Sequence, residues 1–349
     1  MIEIENLTKS FDETCAVNHV SFRIPDGVMY GLLGTNGAGK TTLLRMLAGI
    51  LEPDTGVIRM DGESVYGNPK CKGNMFYLSD APYYFPNADM EGMVSFFRRQ
   101  YPELNPEAVA YMAESLNLDM KSPLRTFSKG MKRQAFLIMA LCTNTKYLLC
   151  DEVFDGLDPI VTEVMKNLIH QEMKERNLTV VVVSHKLRDL EDICHHIGIL
   201  HKGGLLKAGD MSERAKNIRK FQCVFPEICC LEECTDSDEA KREQTFVDEA
   251  ALREKGLDVV RYRREENFVT VIVREKVKEV SEQEKSAQAK VPVEMKRMDE
   301  RKSSDESKST EQILQQFAPV FCKEVPMTLE EVFVAEMEVT GYDIRKVLQ

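Results

Sequence analysis

Apolar residues in the first sixty positions fall in short blocks with strand character. Ile2 and Ile4 alternate with acids, and Phe22-Arg23-Ile24 repeats that alternation. Val28 to Leu33 is instead a continuous apolar run, the pattern of a strand covered on both faces. Val57-Ile58-Arg59-Met60 predicts a further strand, with turns at Asp26-Gly27 and Asp61-Gly62. From about 88 to 145 the spacing turns helical, first with Met93, Val94, Phe96 and Phe97, then across Val109 to Leu116. Two more continuous runs follow, Tyr147-Leu148-Leu149-Cys150 and Val180-Val181-Val182-Val183, with a helical segment from Val161 to Arg176 between them. Each run is short and ends at a polar residue, as buried parallel strands do. The pattern predicts an α/β core with a parallel sheet, a β-rich N-terminal edge and an inserted helical block.

After Gly209-Asp210 the character changes. Phe221 to Phe225 and Phe268 to Val273 predict strands separated by charged helical sequence. From about 275 to 310 the chain is dense in Lys, Glu, Asp, Ser and Gln, a composition that buries too little apolar surface to order itself, so a flexible insertion is expected there. Order is expected to resume at Ile313-Leu314, and Leu329, Val332 and Phe333 have helical spacing. The division that follows is a domain over residues 1–212 and a smaller accessory domain over 213–349.

Composition narrows the partners. The 349 residues are 43% hydrophobic and carry a formal charge of −11, which argues against nucleic acid as the main partner and against anionic lipid. No apolar run approaches the roughly 18–20 residues that span a bilayer, so no direct membrane insertion is expected. The alternating pattern starts at Met1-Ile2-Glu3, so no signal peptide is expected and the chain reads as cytoplasmic, meeting a membrane only through another protein. Ten cysteines without regular spacing read as free thiols. Cys223, Cys229, Cys230 and Cys234 suggest core packing over zinc, since two are adjacent and no second C-x-x-C arm accompanies them. Cys194-His195-His196, at the entry to a strand over Ile197 to Leu200, reads as structural.

The chemistry concentrates in four segments. Gly34-Thr35-Asn36-Gly37-Ala38-Gly39-Lys40-Thr41-Thr42 follows the Val28–Leu33 strand and precedes the helical spacing of Leu43, Leu44, Met46 and Leu47. A strand, a glycine-rich turn and a helix N-terminus aim backbone N–H groups at one anion. Lys40 can reach the β/γ-phosphates and the Thr41 hydroxyl can join the coordination of Mg²⁺. Leu148-Leu149-Cys150-Asp151-Glu152 delivers two acids at the carboxyl end of a buried strand, where open α/β sheets bind ligands. Asp151 suits Mg²⁺, and Glu152 suits the orientation and deprotonation of a water. His185 ends the next strand and can steady charge at a γ-phosphate. Ser128, in Thr126 to Gln134, reads as the N-cap of the helix through Ala135, Phe136, Ile138 and Met139.

Together these segments resemble the ATP-binding subunits of ABC transporters. The resemblance covers about residues 1–212 and runs in the family's order: Gly34 to Thr42 as Walker A, Phe127 to Met131 as signature, Leu148 to Glu152 as Walker B, Gly156-Leu157-Asp158 as D-loop and His185 as switch histidine. It implies a P-loop NTPase cassette with a mixed sheet core, a β-rich N-terminal subdomain, a helical insertion and a smaller C-terminal α+β extension. It also implies ATP and Mg²⁺ as ligands, with two cassettes, identical or paralogous, pairing head to tail around two ATP molecules. Ser128 and Gly130 would then contact the γ-phosphate held by the other copy, Asp158 would lie at the nucleotide, and Phe11 would stack on the base. An integral-membrane permease would place the subunit at the inner face of the cell membrane.

Two positions depart from the family. Phe127, Lys129 and Met131 replace three of five signature residues while Ser128 and Gly130 remain. Asp80, after Tyr77-Leu78-Ser79, stands where a glutamine is expected; its oxygens could still touch Mg²⁺, or its charge could slow the reaction. The altered signature, single cassette and C-terminal extension resemble bacterial exporters with a separate permease, and Pro326 to Phe333 is similar to C-terminal segments of that group. Two other readings stand beside export: an ABC ATPase acting on ribosomes or DNA, and a regulatory cassette that turns over slowly.

Overall fold

The N-terminal alternation yields β1 (Ile2–Phe11) and β2 (Thr14–Ile24), an antiparallel pair. The continuous apolar run becomes β3 (Met29–Gly34), leading through the glycine-rich turn into α1 (Lys40–Leu47). β4 (Thr55–Met60) and β5 (Glu63–Ser64) complete a four-stranded antiparallel sheet in the order β2-β1-β4-β5. The computed structural model describes residues 1–184, 190–191, 193–194, 196–210, 218–225, 228–229, 244–245, 247–274, 310–328, 331–332 and 334–335. The chain divides into two units, Met1–Ser212 and Glu213–Gln349.

The first unit continues with α2 (Pro69–Gly73), β6 (Met75–Leu78), α3 (Met90–Phe97), α4 (Pro106–Ser115), α5 (Lys129–Leu141), β7 (Tyr147–Asp151), α6 (Pro159–Arg176), β8 (Thr179–Val183), β9 (His196–His201) and β10 (Gly204–Asp210). Its second sheet runs β10-β9-β3-β8-β7-β6, parallel except for β10. Every residue of β7 and β8 is buried, as their unbroken apolar runs require. One buried cluster joins Ile2, Leu7, Val20, Tyr30, Leu43, Leu47, Ile58, Leu149 and Val181, drawn from both sheets and α1. Removal of that apolar area from water stabilises the fold by about 1.5–3 kcal/mol per large side chain. Phe97 of α3 packs between Phe76 of β6 and Phe136 of α5, which ties the helical block to the sheet.

Local signals explain the helix ends. Ser128 Oγ accepts the Met131 N–H at 3.1 Å to cap α5, and Asp158 Oδ1 accepts the Val161 N–H at 3.0 Å to cap α6, with Pro159 in the first turn. α6 stops at Asn177, which takes a left-handed conformation.

The second unit holds β11 (Ile218–Val224), a two-residue ladder of β12 (Ile228–Cys229) with β13 (Gln244–Thr245), α7 (Glu249–Glu254), β14 (Asp258–Glu265), β15 (Phe268–Arg274), α8 (Thr310–Gln315) and β16 (Phe321–Val325). Its main sheet is antiparallel in the order β14-β15-β11-β16. α7 and α8 cover one face through Leu252 and Leu314, against Phe221, Val269 and Val271. β14 corrects the expectation of charged helix before Phe268. Its Arg261, Arg263 and Glu265 belong to an edge strand, where charge is tolerated and discourages further pairing. Cys223 is buried in the core of this sheet, as expected, and its Sγ lies 2.8 Å from that of Cys322, directly opposite on β16. Cys194 is buried against Gly31. The expected insertion, apart from Thr310, and Cys230, Cys234, His195, Leu329 and Phe333 lie outside the described residues.

Candidate nucleotide-binding site

The parallel sheet sets the site, because its carboxyl ends share one edge. Register pairs Leu78 with Cys150, Asp151 with Val183, and Gly34 with Leu200. Asp80, the Gly34–Thr42 turn, Asp151 and Glu152, and Ser184 therefore leave neighbouring strands on the same side. His185, the next residue, lies outside the described residues.

The glycine-rich turn is shaped by contacts that exclude side chains. Gly39 has φ +96°, and a Cβ there would sit 2.1 Å from the Ala16 carbonyl oxygen of β2; at Gly34 it would sit 2.5 Å from that of Leu200. Gly37 has φ +76° in open space. Asn36 is exposed at the tip of the turn and Thr42 is half-buried on α1. Lys40 Nζ donates to the Gly34 and Thr35 carbonyls at 2.7 and 3.0 Å, so the ammonium folds over the turn. Burial presses its proton affinity below the ordinary lysine value, while Glu152 and Asp151 pull the other way.

Thr41 and Asp151 meet across the site. Thr41 Oγ1 donates to Asp151 Oδ1 at 3.2 Å. Asp151 is 2% exposed, and its Oδ2 finds no hydrogen-bond partner among the described residues. Burial pushes its carboxyl above the usual range; the Thr41 hydrogen bond works against this, while Asp80 and Glu152 add to it. A buried carboxylate with a bare oxygen beside a hydroxyl is a donor set that fits a hard cation. Glu152 follows with φ +51°, a left-handed turn that costs about 1–2 kcal/mol for a residue with a Cβ. Its N–H still donates to Val183, and its carbonyl accepts from Asp155 N–H at 3.1 Å, which bends the chain sharply off the strand.

The remaining expected residues sit around this centre. Phe11, at the end of β1 opposite Thr14, is 46% exposed and outside the core. Gly130 approaches the turn after Glu152, where its Cβ would lie 3.1 Å from Gly156 O. Asp158 spends a carboxylate oxygen on capping α6. The Asp80 carbonyl accepts from Arg133 Nη2 at 3.4 Å, a partner the sequence reading did not assign. The available signal was a cation just before the unbroken apolar stretch Ala135 to Leu141.

Comparison with known proteins decides the family. The family model described as ABC transporter matches residues 17–155. The bacitracin transport ATP-binding protein BcrA of Bacillus licheniformis is 33% identical over 224 residues, covering 63% of this chain and 73% of BcrA. The chain is an ABC transporter ATP-binding subunit. The cassette is also 29% identical to the ABC transporter ATP-binding protein YtrB of Bacillus subtilis, across 96% of this chain and 98% of that one. In fold it is similar to a solved ATP-binding subunit of an ABC transporter (TM-score 0.57, 23% identity, 62% of this chain and 92% of that one). A solved cassette dimer with ADP and Pi gives a TM-score of 0.55 at 20% identity, over 60% of this chain and 99% of that one. The subunit binds and hydrolyses ATP to drive transport, the reading preferred to one on ribosomes or DNA.

Proposed function

We propose that this subunit powers export through a separate integral-membrane permease, working as a cassette pair at the cytoplasmic face with ATP and Mg²⁺ between the copies. The observation that carries the site assignment is the contact of Thr41 with Asp151, whose second oxygen is buried and bare. Thr41 and Asp151 would hold Mg²⁺, with Asp80 facing the same ion. When bound, the ion neutralises charge on the β- and γ-phosphates. Gly34, Asn36, Gly37, Gly39, Lys40, Thr41 and Thr42 cradle the polyphosphate, and Lys40 exchanges its carbonyl acceptors for phosphate oxygens. Glu152 orients and deprotonates the attacking water, and His185 steadies the γ-phosphate. Phe11 offers an exposed ring to the base. Ser128 and Gly130, at the start of α5, act on the nucleotide of the other cassette, with Asp158 near the same junction.

Among the described residues no helix is long and apolar enough to cross a membrane. Exposed Tyr83 and Phe85, a few residues beyond Asp80, form a contiguous aromatic patch with Phe96 of α3, suited to an apolar segment of the permease. Tagged full-length chain, purified from its native membrane in mild detergent, tests the assignment. A multi-spanning membrane protein should co-purify in stoichiometric amount, and alanine at Tyr83 and Phe85 should weaken its recovery. Isolation with ribosomes or DNA instead would refute the assignment.

A further inference from the structure

Arg133 is a cation buried where three loops of the site converge. It lies on α5 between the capping Ser128 and the apolar stretch Ala135 to Leu141, with a side chain 3% exposed. Nη1 donates to Asp155 Oδ2 at 3.3 Å and Nη2 to the Asp80 carbonyl at 3.4 Å. Nε finds no partner among the described residues, so the two terminal nitrogens carry the hold. The backbone closes around the same point. A Cβ on Gly156 would lie 3.4 Å from Nη1, and one on Gly130 would lie 3.1 Å from Gly156 O. Lys129 reaches the same Asp155 oxygen at 3.4 Å, but from solvent.

We propose that Arg133 is a positioning residue that couples the Ser128–Gly130 turn to Glu152. The connection runs from the guanidinium to the Asp155 carboxylate, and from the Asp155 N–H to the Glu152 carbonyl at 3.1 Å. Its second arm holds the loop that carries Asp80. A shift of the α5 N-terminus, as its turn meets a phosphate on the other cassette, is thereby felt at the water-orienting carboxylate. The residue type matters for two reasons. A guanidinium stays charged when buried, so it needs the Asp155 anion, and its planar fork reaches acceptors on two different loops. Lysine would keep the charge and give up one arm. The proposal rests on Glu152 being the base.

Steady-state ATP turnover and thermal unfolding of the full-length chain test it, with Arg133→Lys, Arg133→Gln, Asp155→Asn, the Arg133→Gln/Asp155→Asn pair, and Glu152→Gln as reference. Arg133→Lys should lower kcat by roughly tenfold, with KM for ATP and Tm little changed, because mispositioning costs turnover before affinity. Arg133→Gln removes the buried guanidinium and leaves the exposed Lys129 as a cation on Asp155, so it should lose more. The neutral pair, whose two amides can hydrogen-bond with each other across the same gap, should recover much of that loss. Unchanged kcat in both Arg133 variants overturns the proposal. So does a loss that tracks KM or Tm, or one that the neutral pair fails to recover. Normal turnover in Glu152→Gln would remove the assignment of the base instead, an outcome distinguishable from failure of the coupling alone.

Discussion

Thr41 and Asp151, 110 positions apart in sequence, share a hydrogen bond of 3.2 Å that brings the glycine-rich turn and the acidic strand end together. The bond uses one oxygen of a buried carboxylate and leaves the other bare. That arrangement is poor for stability and well suited to a cation, and the two consequences can be measured separately.

Asp151→Asn should raise the Mg²⁺ concentration for half-maximal turnover by roughly tenfold or more, as loss of a ligand weakens a metal site. The same variant removes a buried charge, so the Tm of nucleotide-free protein should stay level or rise by a few degrees. Asp80→Gln should shift the Mg²⁺ requirement in the same direction but less, since its side chain is exposed. Turnover titrated against Mg²⁺, with scanning calorimetry, reads both effects.

Glu152→Gln should bind ATP with near-normal affinity and turn over at least about a hundredfold more slowly, the scale of a lost general base. Nucleotide-trapped cassette pairs should accumulate and be visible by size-exclusion chromatography. Full turnover in this variant would mean that another group activates the water.

Two glycines separate collision from backbone strain. Gly39→Ala drives a methyl to 2.1 Å from the Ala16 carbonyl, so the turn must deform; it should destabilise by more than about 2 kcal/mol and abolish nucleotide binding. Gly37→Ala meets nothing within 4 Å and carries only the cost of its positive φ, about 1 kcal/mol. Denaturant unfolding of the two should rank them in that order.

Asp61 predicts an acid-side transition. Burial opposes its ionisation, but hydrogen bonds from Lys146, the amino terminus and Tyr147 outweigh burial and hold its pKa down at about 2, against an ordinary 3.8. A carboxylate with a depressed folded-state pKa stabilises fully above its unfolded value and loses that contribution as pH falls through the folded one. Between about pH 4 and 2 the wild-type Tm should therefore fall more steeply than that of Asp61→Asn. Parallel curves would show that Asp61 carries no linkage.

Legibility in sequence follows the range of the interaction. β7 and β8 are readable because continuous apolar runs report burial on both faces, and α5 because Ser128 caps through an N–H three residues away; the Asp158 cap of α6 is seen only in the structure. β14 is not legible in the sequence because the charges of an exposed edge mimic a solvated helix, and only its pairing with β15 reveals the strand. The core packing of Cys223 is legible in its sequence, but its partner Cys322 follows only from antiparallel register.

The same division holds at the site. The sequence by itself determined the family, the strand–turn–helix that carries Lys40 and Thr41, and the strand end that carries Asp151 and Glu152, because each of these elements is built from contiguous residues. Tertiary structure alone decided that Asp151 keeps one bare oxygen, that Gly39 is forced by Ala16, and that Arg133 joins Asp80 to Asp155. Those facts depend on which distant segments the sheet order and helix packing bring within a few ångströms, and no local pattern encodes that proximity.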